Sequence, residues 1–277
     1  MGAVTVSGMP FTVRRAVPDD IARIAALTAE HRRRLAGWAP IWWRPSAAAD
    51  QLHPLWLEHL VRDESAVVRV VEDRNIVVGC GAAVRQPGQW FVDDVALVED
   101  APWPGAGVAL LQAITERPAL TCVPHAHTAR LRASTEAGLT RVSSYWIRPC
   151  DGGEVDVDVG PIPAGVGLPP APRHTFGGAL DPSSDGALAF AAHGGVVVGS
   201  PSMTAPPVYD PGGTVAVVDR VAGDDRSALL RTTLTAAAAR GDVLVAVVAA
   251  HRDEDLEGHL AAAGFDRTVD VFAWPDH

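Results

Sequence analysis

The chain of 277 residues contains no lysine, so all 23 of its basic residues are arginine. Schiff-base chemistry and any phosphate site built on a lysine ammonium are therefore excluded. Cysteine is scarce: Cys80, Cys122 and Cys150 are odd in number, far apart and not in C-x-x-C spacing. That pattern argues against a disulfide framework and against a zinc site, and no metal is expected. Cys80 and Cys122 sit in apolar, strand-like runs and read as small core residues. No apolar run reaches 18 residues and no charged-then-apolar leader opens the chain, so a cytoplasmic protein without a membrane span is expected. A net charge of −10 with no basic block speaks against a nucleic-acid partner.

What is present is an ordinary globular balance, 48% hydrophobic and 20% charged, in a length that suits one large domain or two small ones. "FTVRRAV" (11–17) alternates like a strand. In "PDDIARIAALTAEHRRRLA", Pro18 and Asp19-Asp20 suit a helix start, and Ile21, Ile24, Ala25 and Leu27 recur at helical spacing. A break rich in Trp and Pro (37–45) precedes a second helix, "AADQLHPLWLEHLVRD", perturbed by Pro54. "SAVVRVVED" and "IVVGCGAAVR" are strands joined at Asp73-Arg74-Asn75. "QWFVDDVALV" (89–98) is a third strand.

Next comes "VALVEDAPWPGAGVALLQAI", an apolar strand end, a loop turning at Gly105-Ala106-Gly107, and a helix to about Glu116. Glycines at a helix start are a common phosphate cradle. This loop has no cation, however, and carries two acids and two prolines. "ALTCVP" is a strand, "AHTARLRASTEAG" a helix closed by Gly138, and "RVSSYWIRP" a strand. Residues 11–149 thus read β-α-α-β-β-β-α-β-α-β. A Gly-, Pro- and acid-rich stretch (151–172) reads as a linker or crossing segment. The remainder reads β-β-β-α-β-α-β, with helices "RSALLRTTLTAAAARG" and "HRDEDLEGHLAAAG". Its tail matches that of the first half piece by piece, which makes an internal repeat.

The element order, the strand–loop–G-x-G–helix of "VALVEDAPWPGAG", and the Gly-plus-apolar helix ends at Gly138-Leu139 and Gly264-Phe265 resemble the GNAT superfamily of acetyltransferases. The resemblance covers nearly the whole chain. It implies an α/β (mixed α+β) fold class: two tandem GNAT-like folds, each with a mixed, mostly antiparallel sheet flanked by helices. Residues 11–149 would be an acetyl-CoA-binding domain, 150–185 a linker, and 186–277 a truncated, degenerate copy. The cofactor implied is acetyl-CoA. Its pantetheine arm would bond the free backbone of a splayed strand at Val95, Ala96 and Leu97. Its pyrophosphate would lie on the amides of Gly105, Ala106, Gly107 and Val108 and the helix dipole. The family usually has Arg or Gln where Pro102 stands, and Pro102 and Pro104 offer no N–H. At about 1.5–3 kcal/mol per hydrogen bond to a charged group, losing one or two weakens binding. In the second copy, "DRVAGDDRSALL", Asp225 replaces the second glycine. Asp224 and Asp225 would cap a helix and repel a diphosphate, so this copy reads as structural.

The same resemblance directs attention to a general base on the splayed strand. Alternation puts Asp93 and Asp94 on opposite faces, one toward the substrate cleft and acting through water, or both merely pairing at a sheet edge. A backbone N–H near Ala96 or Leu97 would donate to the oxyanion. The family's thiolate-protonating Tyr is replaced by Ser134 and by Leu260. Tyr145 is a substitute acid or a packed aromatic. His125 and His127 are proton relays or surface residues. Trp38, Trp42, Trp43 and Trp56, with Arg44 and His53, fall where this fold roofs its acceptor site. The first three are candidates for substrate binding, since a cationic amine suits Trp faces, and core packing is the alternative. The activity implied is acetyl-CoA-dependent N-acetyl transfer to a small-molecule amine by direct attack, in a monomer or homodimer. The alternatives are a degenerate protein that binds CoA or a metabolite without catalysis, and activity in the second copy.

Overall fold

The computed structural model describes residues 4–5, 11–86, 89–99, 101–114, 119–150, 159–174 and 179–274. Two compact units form, Met1–Arg141 with Pro207–Tyr209 and Val271–His277, and Val142–Pro206 with Asp210–Asp270. The units are interleaved in sequence, whereas the expected division at 149/150 and 185/186 followed chain order. Glu116, the expected end of one helix, and residues 151–158 of the crossing segment lie outside the described residues.

In the first unit, β1 (Val4–Thr5), β2 (Phe11–Arg15), β3 (Ala66–Asp73), β4 (Ile76–Gln86), β5 (Gln89–Leu97) and β6 (Ala119–Pro124) lie side by side in that order. All neighbours are antiparallel except the parallel pair β5–β6. Arg74 and Asn75 turn β3 into β4 with φ of 49° and 66°, the left-handed pair that a two-residue hairpin requires. Helices α1 (Ile21–Trp38) and α2 (Ala49–Arg62) pack Ile24, Leu27, Leu57 and Leu60 with Val68, Val70 and Ala96 in one core cluster. Helices α3 (Val108–Ile114) and α4 (Thr128–Glu136) share a second cluster with Val92, Val95, Leu97, Phe272 and Trp274. Pro54 lies within α2 without ending it.

The second unit repeats this plan. Strands β8 (Leu188–Ala192), β9 (Gly195–Gly199) and β10 (Thr214–Ala222) are antiparallel neighbours, and β10 runs parallel to β11 (Asp242–Ala250). Strand β7 (Thr140–Pro149) pairs antiparallel with β11 through Ser143–Pro149. Helices α5 (Arg226–Ala239) and α6 (Glu254–Ala262) bury Leu229, Leu230, Leu256 and Leu260 against that sheet. The element order read from the sequence is reproduced through β12 (Asp266–Ala273).

The repeat extends to the helix ends. Leu139 N–H donates to the Ser134 carbonyl at 3.0 Å, and Phe265 N–H to the Leu260 carbonyl at 3.0 Å. Gly138 and Gly264 stand before them at φ of 91° and 75°. This is a Schellman closure, in which glycine takes the left-handed position and the next apolar residue is buried.

Candidate functional site

Two strands that part company open a cleft, and β5 and β6 do so early. They pair only from Trp90 to Val92 with Ala119 to Thr121. At the parting point Thr121 Oγ1 donates to the Val92 carbonyl at 3.2 Å, and Arg130 Nη2 from α4 donates to Thr121 Oγ1 at 3.3 Å.

Just beyond it β5 is bulged. Gly81 opposes Val95 and Ala83 opposes Val92, so Asp93 and Asp94 together face Ala82 alone. This corrects the expectation that the two aspartates lie on opposite faces. Val92 and Val95, three residues apart, share one core cluster, which strict alternation forbids and one inserted residue allows. Asp94 instead meets α2: its Oδ2 is 2.8 Å from His53 Nε2, and His53 Nδ1 is 3.1 Å from Thr28 Oγ1 on α1. The His53 side chain is buried and Asp94 nearly so.

The bulge places the two acids in contrasting surroundings. Burial would raise the Asp94 pKa, but the His53 hydrogen bond, with the charge of Arg32, outweighs it and holds the group low. Asp93 is raised toward about 7, by desolvation first and then by the Asp94 charge, with Arg130 opposing. Asp93 is solvent-exposed as a residue. Water therefore screens part of that shift. Tyr209 is anchored beside this group by the Pro45–Tyr209 bridge and by Ser46 N–H donating to the Val208 carbonyl at 3.0 Å. Burial and the charges of Asp94 and Asp93 keep its phenol protonated.

An aromatic stack closes one side. His127 lies on Trp38 with ring centres 4.1 Å apart, and meets Trp103 edge-on at 4.9 Å. Burial and the charges of Arg130 and Arg34 lower the pKa of His127 to about 3. Burial, again with Arg130, lowers that of His31 to about 3. Both are neutral at pH 7. Trp38, Trp42 and Trp43 are each half-buried. Tyr145 belongs to the second unit, buried on β7 opposite Val248. The acid group of the first unit contains one described tyrosine, Tyr209. Sequence reasoning missed Tyr209 and Arg130 because each lies far from β5 in sequence. His53 was noticed only as part of the Trp-rich roof.

The loop after β5 winds as one π-turn, Trp103–Gly107, and it uses its own donors. Gly105 and Ala106 N–H donate to the Pro102 carbonyl at 3.1 and 2.9 Å. Val108 N–H donates to the Gly105 and Trp103 carbonyls. Gly107 has a packing reason for its lack of side chain, since a Cβ there would stand 2.5 Å from Trp103 Cε3. On β5, Val95, Ala96 and Leu97 are buried, and the Leu97 carbonyl already accepts from Arg34 Nη2 at 2.9 Å.

The second unit carries the same bulge and parting. Val218 opposes Gly199 while Arg220 opposes Val198, and β10 leaves β11 after Val218. Its carboxylate, Asp219, is fully engaged. It accepts from Leu180 N–H at 2.7 Å and from Arg220 Nε at 3.0 Å, and stands 3.6 Å from His174 Nε2. Arg220 also holds the Leu180 carbonyl. Here the crossing segment is fastened onto the bulge.

The fold is that of the GNAT acetyltransferases. A GCN5-related N-acetyltransferase from Sphaerobacter thermophilus matches over 95% of this chain and 95% of its own, at 17% identity and a TM-score of 0.52. A Thermoplasma acidophilum protein ascribed to the acetyltransferases matches over 95% and 99%, at 15% identity and a TM-score of 0.50. Both likenesses span the two units of this chain. No family model matches the sequence, and no curated protein matches it. Among the described residues, no helix is long and apolar enough to cross a membrane.

Proposed function

We propose that the first unit is an acetyl-CoA-dependent N-acetyltransferase acting on a small-molecule amine. The observation that carries this reading is the bulge of Asp93 and Asp94 where β5 leaves β6, with titratable groups of opposed environment around it. When bound, acetyl-CoA supplies an activated acyl group as a thioester. The parted strands fit its arm along Val95–Leu97, and the fit is poorer at the loop, where Gly105, Ala106 and Val108 have their amides engaged.

The chain's own groups divide the proton chemistry. Asp93, raised and water-accessible, takes the proton that an ammonium must shed before it can attack. Asp94, held as a carboxylate by His53 and Thr28, keeps an anion beside that ammonium. Tyr209, held protonated, keeps a donor where a leaving group needs one. Trp38, Trp42 and Trp43 offer aromatic faces to the cationic acceptor, with Trp38 fixed by its stack on His127. The engaged loop amides favour a second reading, binding of CoA or a related metabolite without transfer.

A thermal shift with acetyl-CoA, followed by thiol release over an amine panel, tests both readings. A shift with amine-dependent thiol release is expected. A shift without thiol release leaves the binding reading, and no shift refutes both.

A further inference from the structure

Buried polar atoms without partners are rare in folded proteins and ask for an explanation. Among the described residues, five side-chain atoms of this kind are on four residues of the first unit's cleft: Arg32 Nε and Nη1, Arg34 Nε, Arg130 Nε and His127 Nδ1. Arg32 and Arg130 are each 2% exposed, so water cannot freely supply the missing acceptors.

Arg32 and Arg34 come from α1 and Arg130 from α4. Arg130 acts with Arg32 on Tyr209, and with Arg34 on His31 and His127. Arg34 reaches the Leu97 carbonyl on β5 and Arg130 reaches Thr121 on β6, on either side of the parting. Arg32 Nη2 bonds Asp50 at 3.1 Å, a carboxylate 74% exposed. Arg34 has only a distant contact with the half-exposed Glu30, at 3.9 Å. The acids facing the cluster are Asp94, already bonded to His53, and Asp93, whose charged form is disfavoured. Two buried cations and the half-buried Arg34 thus face one ionised carboxylate inside the cleft, Asp94, since Asp50 and Glu30 lie out toward solvent. Burial first, and then Arg130 and Arg34, hold His31 and His127 neutral.

We propose that Arg32, Arg34 and Arg130 form a carboxylate-binding site, so that the acceptor is an amine bearing a carboxylate, an amino acid. This rests on the acetyltransferase reading for the fate of the amine, which Asp93 and Asp94 beside the cluster receive. Guanidinium edges with unpaired N–H groups are matched by a planar carboxylate. A phosphate dianion would set a second negative charge against Asp94.

The test is calorimetry without an acyl donor, using amino acids paired with their decarboxylated amines: leucine and isoamylamine, phenylalanine and phenethylamine, arginine and agmatine. At least one amino acid should bind tenfold or more tightly than its amine. Arg130→Gln and Arg32→Gln should each bring the affinity ratio of amino acid to amine down to about one. If either variant fails to fold by circular dichroism, the other and the charge-conserving Arg130→Lys, which should keep part of the preference, decide the matter. Equal affinity within every pair, or no binding by any amino acid, overturns the proposal. Thiol release from amines regardless of a carboxylate would overturn the site and keep the transfer reading. Amino-acid binding without thiol release would keep the site and overturn transfer.

Discussion

Gly107 separates two accounts of the loop after β5. If glycine is there to let a diphosphate approach the backbone, a methyl group at 107 should weaken CoA binding and leave the fold intact. The structure gives another reason. A Cβ at this position would lie 2.5 Å from Trp103 Cε3 and 3.2 Å from Cδ2 and Cζ3. The ring is a rigid, 9% exposed member of the core, so it cannot swing aside as a flexible chain end would. Overpacking of this kind costs about 1–3 kcal/mol. Gly107→Ala should lower the unfolding midpoint of the first unit by roughly 5 °C, taking about 2–4 °C per kcal/mol. Trp103→Ala should cost about 3–5 kcal/mol by leaving a cavity. In that background the added methyl has room, and Gly107→Ala should cost nearly nothing. The double-mutant cycle, read by urea unfolding with tryptophan fluorescence, should give a coupling of about 1–3 kcal/mol. Additive effects, or a Gly107→Ala variant of unchanged stability, would refute the packing account.

Three further outcomes are expected. Asp225→Ala removes the side chain that accepts from Ala228 N–H at 2.8 Å. It should cost about 1 kcal/mol in the second unit, seen by chemical denaturation, without altering acetyl-CoA binding. Asp219→Ala leaves Arg220 buried without its carboxylate and frees the segment at Leu180. It should destabilise by about 3–5 kcal/mol and make cleavage near residue 180 the first event in limited proteolysis. Asp93 has a raised pKa in the folded chain, so its stability penalty appears as pH climbs past the unfolded value of about 3.9 and is complete above about 7. Asp93→Asn should therefore raise the melting temperature relative to the parent at pH 8 and not at pH 3. It should also abolish the rise of kcat/KM with pH that a deprotonated Asp93 would produce.

Much of the fold was legible because its signals are local. Alternation, helical spacing and the Gly-plus-apolar ends at Gly138-Leu139 and Gly264-Phe265 are short-range devices, and both units use them identically. Asp225 was legible as a cap for the same reason, since a cap acts on an amide three residues away. Period-two alternation failed at Asp93-Asp94 because a bulge depends on the partner strand. Nothing in "FVDDVAL" announces that Ala82 will face two residues. The duplicate bulge at Asp219 was equally hidden, although the repeat that contains it was visible.

The sequence by itself determined the element order, the two-fold repeat, the capped and closed helices, and the strand–loop–helix that singles out β5, because each depends on neighbours a few residues apart. Only the tertiary structure decided which groups meet. It brought His53, Arg130 and Tyr209 to the aspartates of β5 from elements 41, 36 and 115 residues beyond or before Asp94. It also set Trp103 on Gly107 and turned the loop's amides inward. Buried charge and ring packing act through space at a few ångströms, a distance that chain position does not encode.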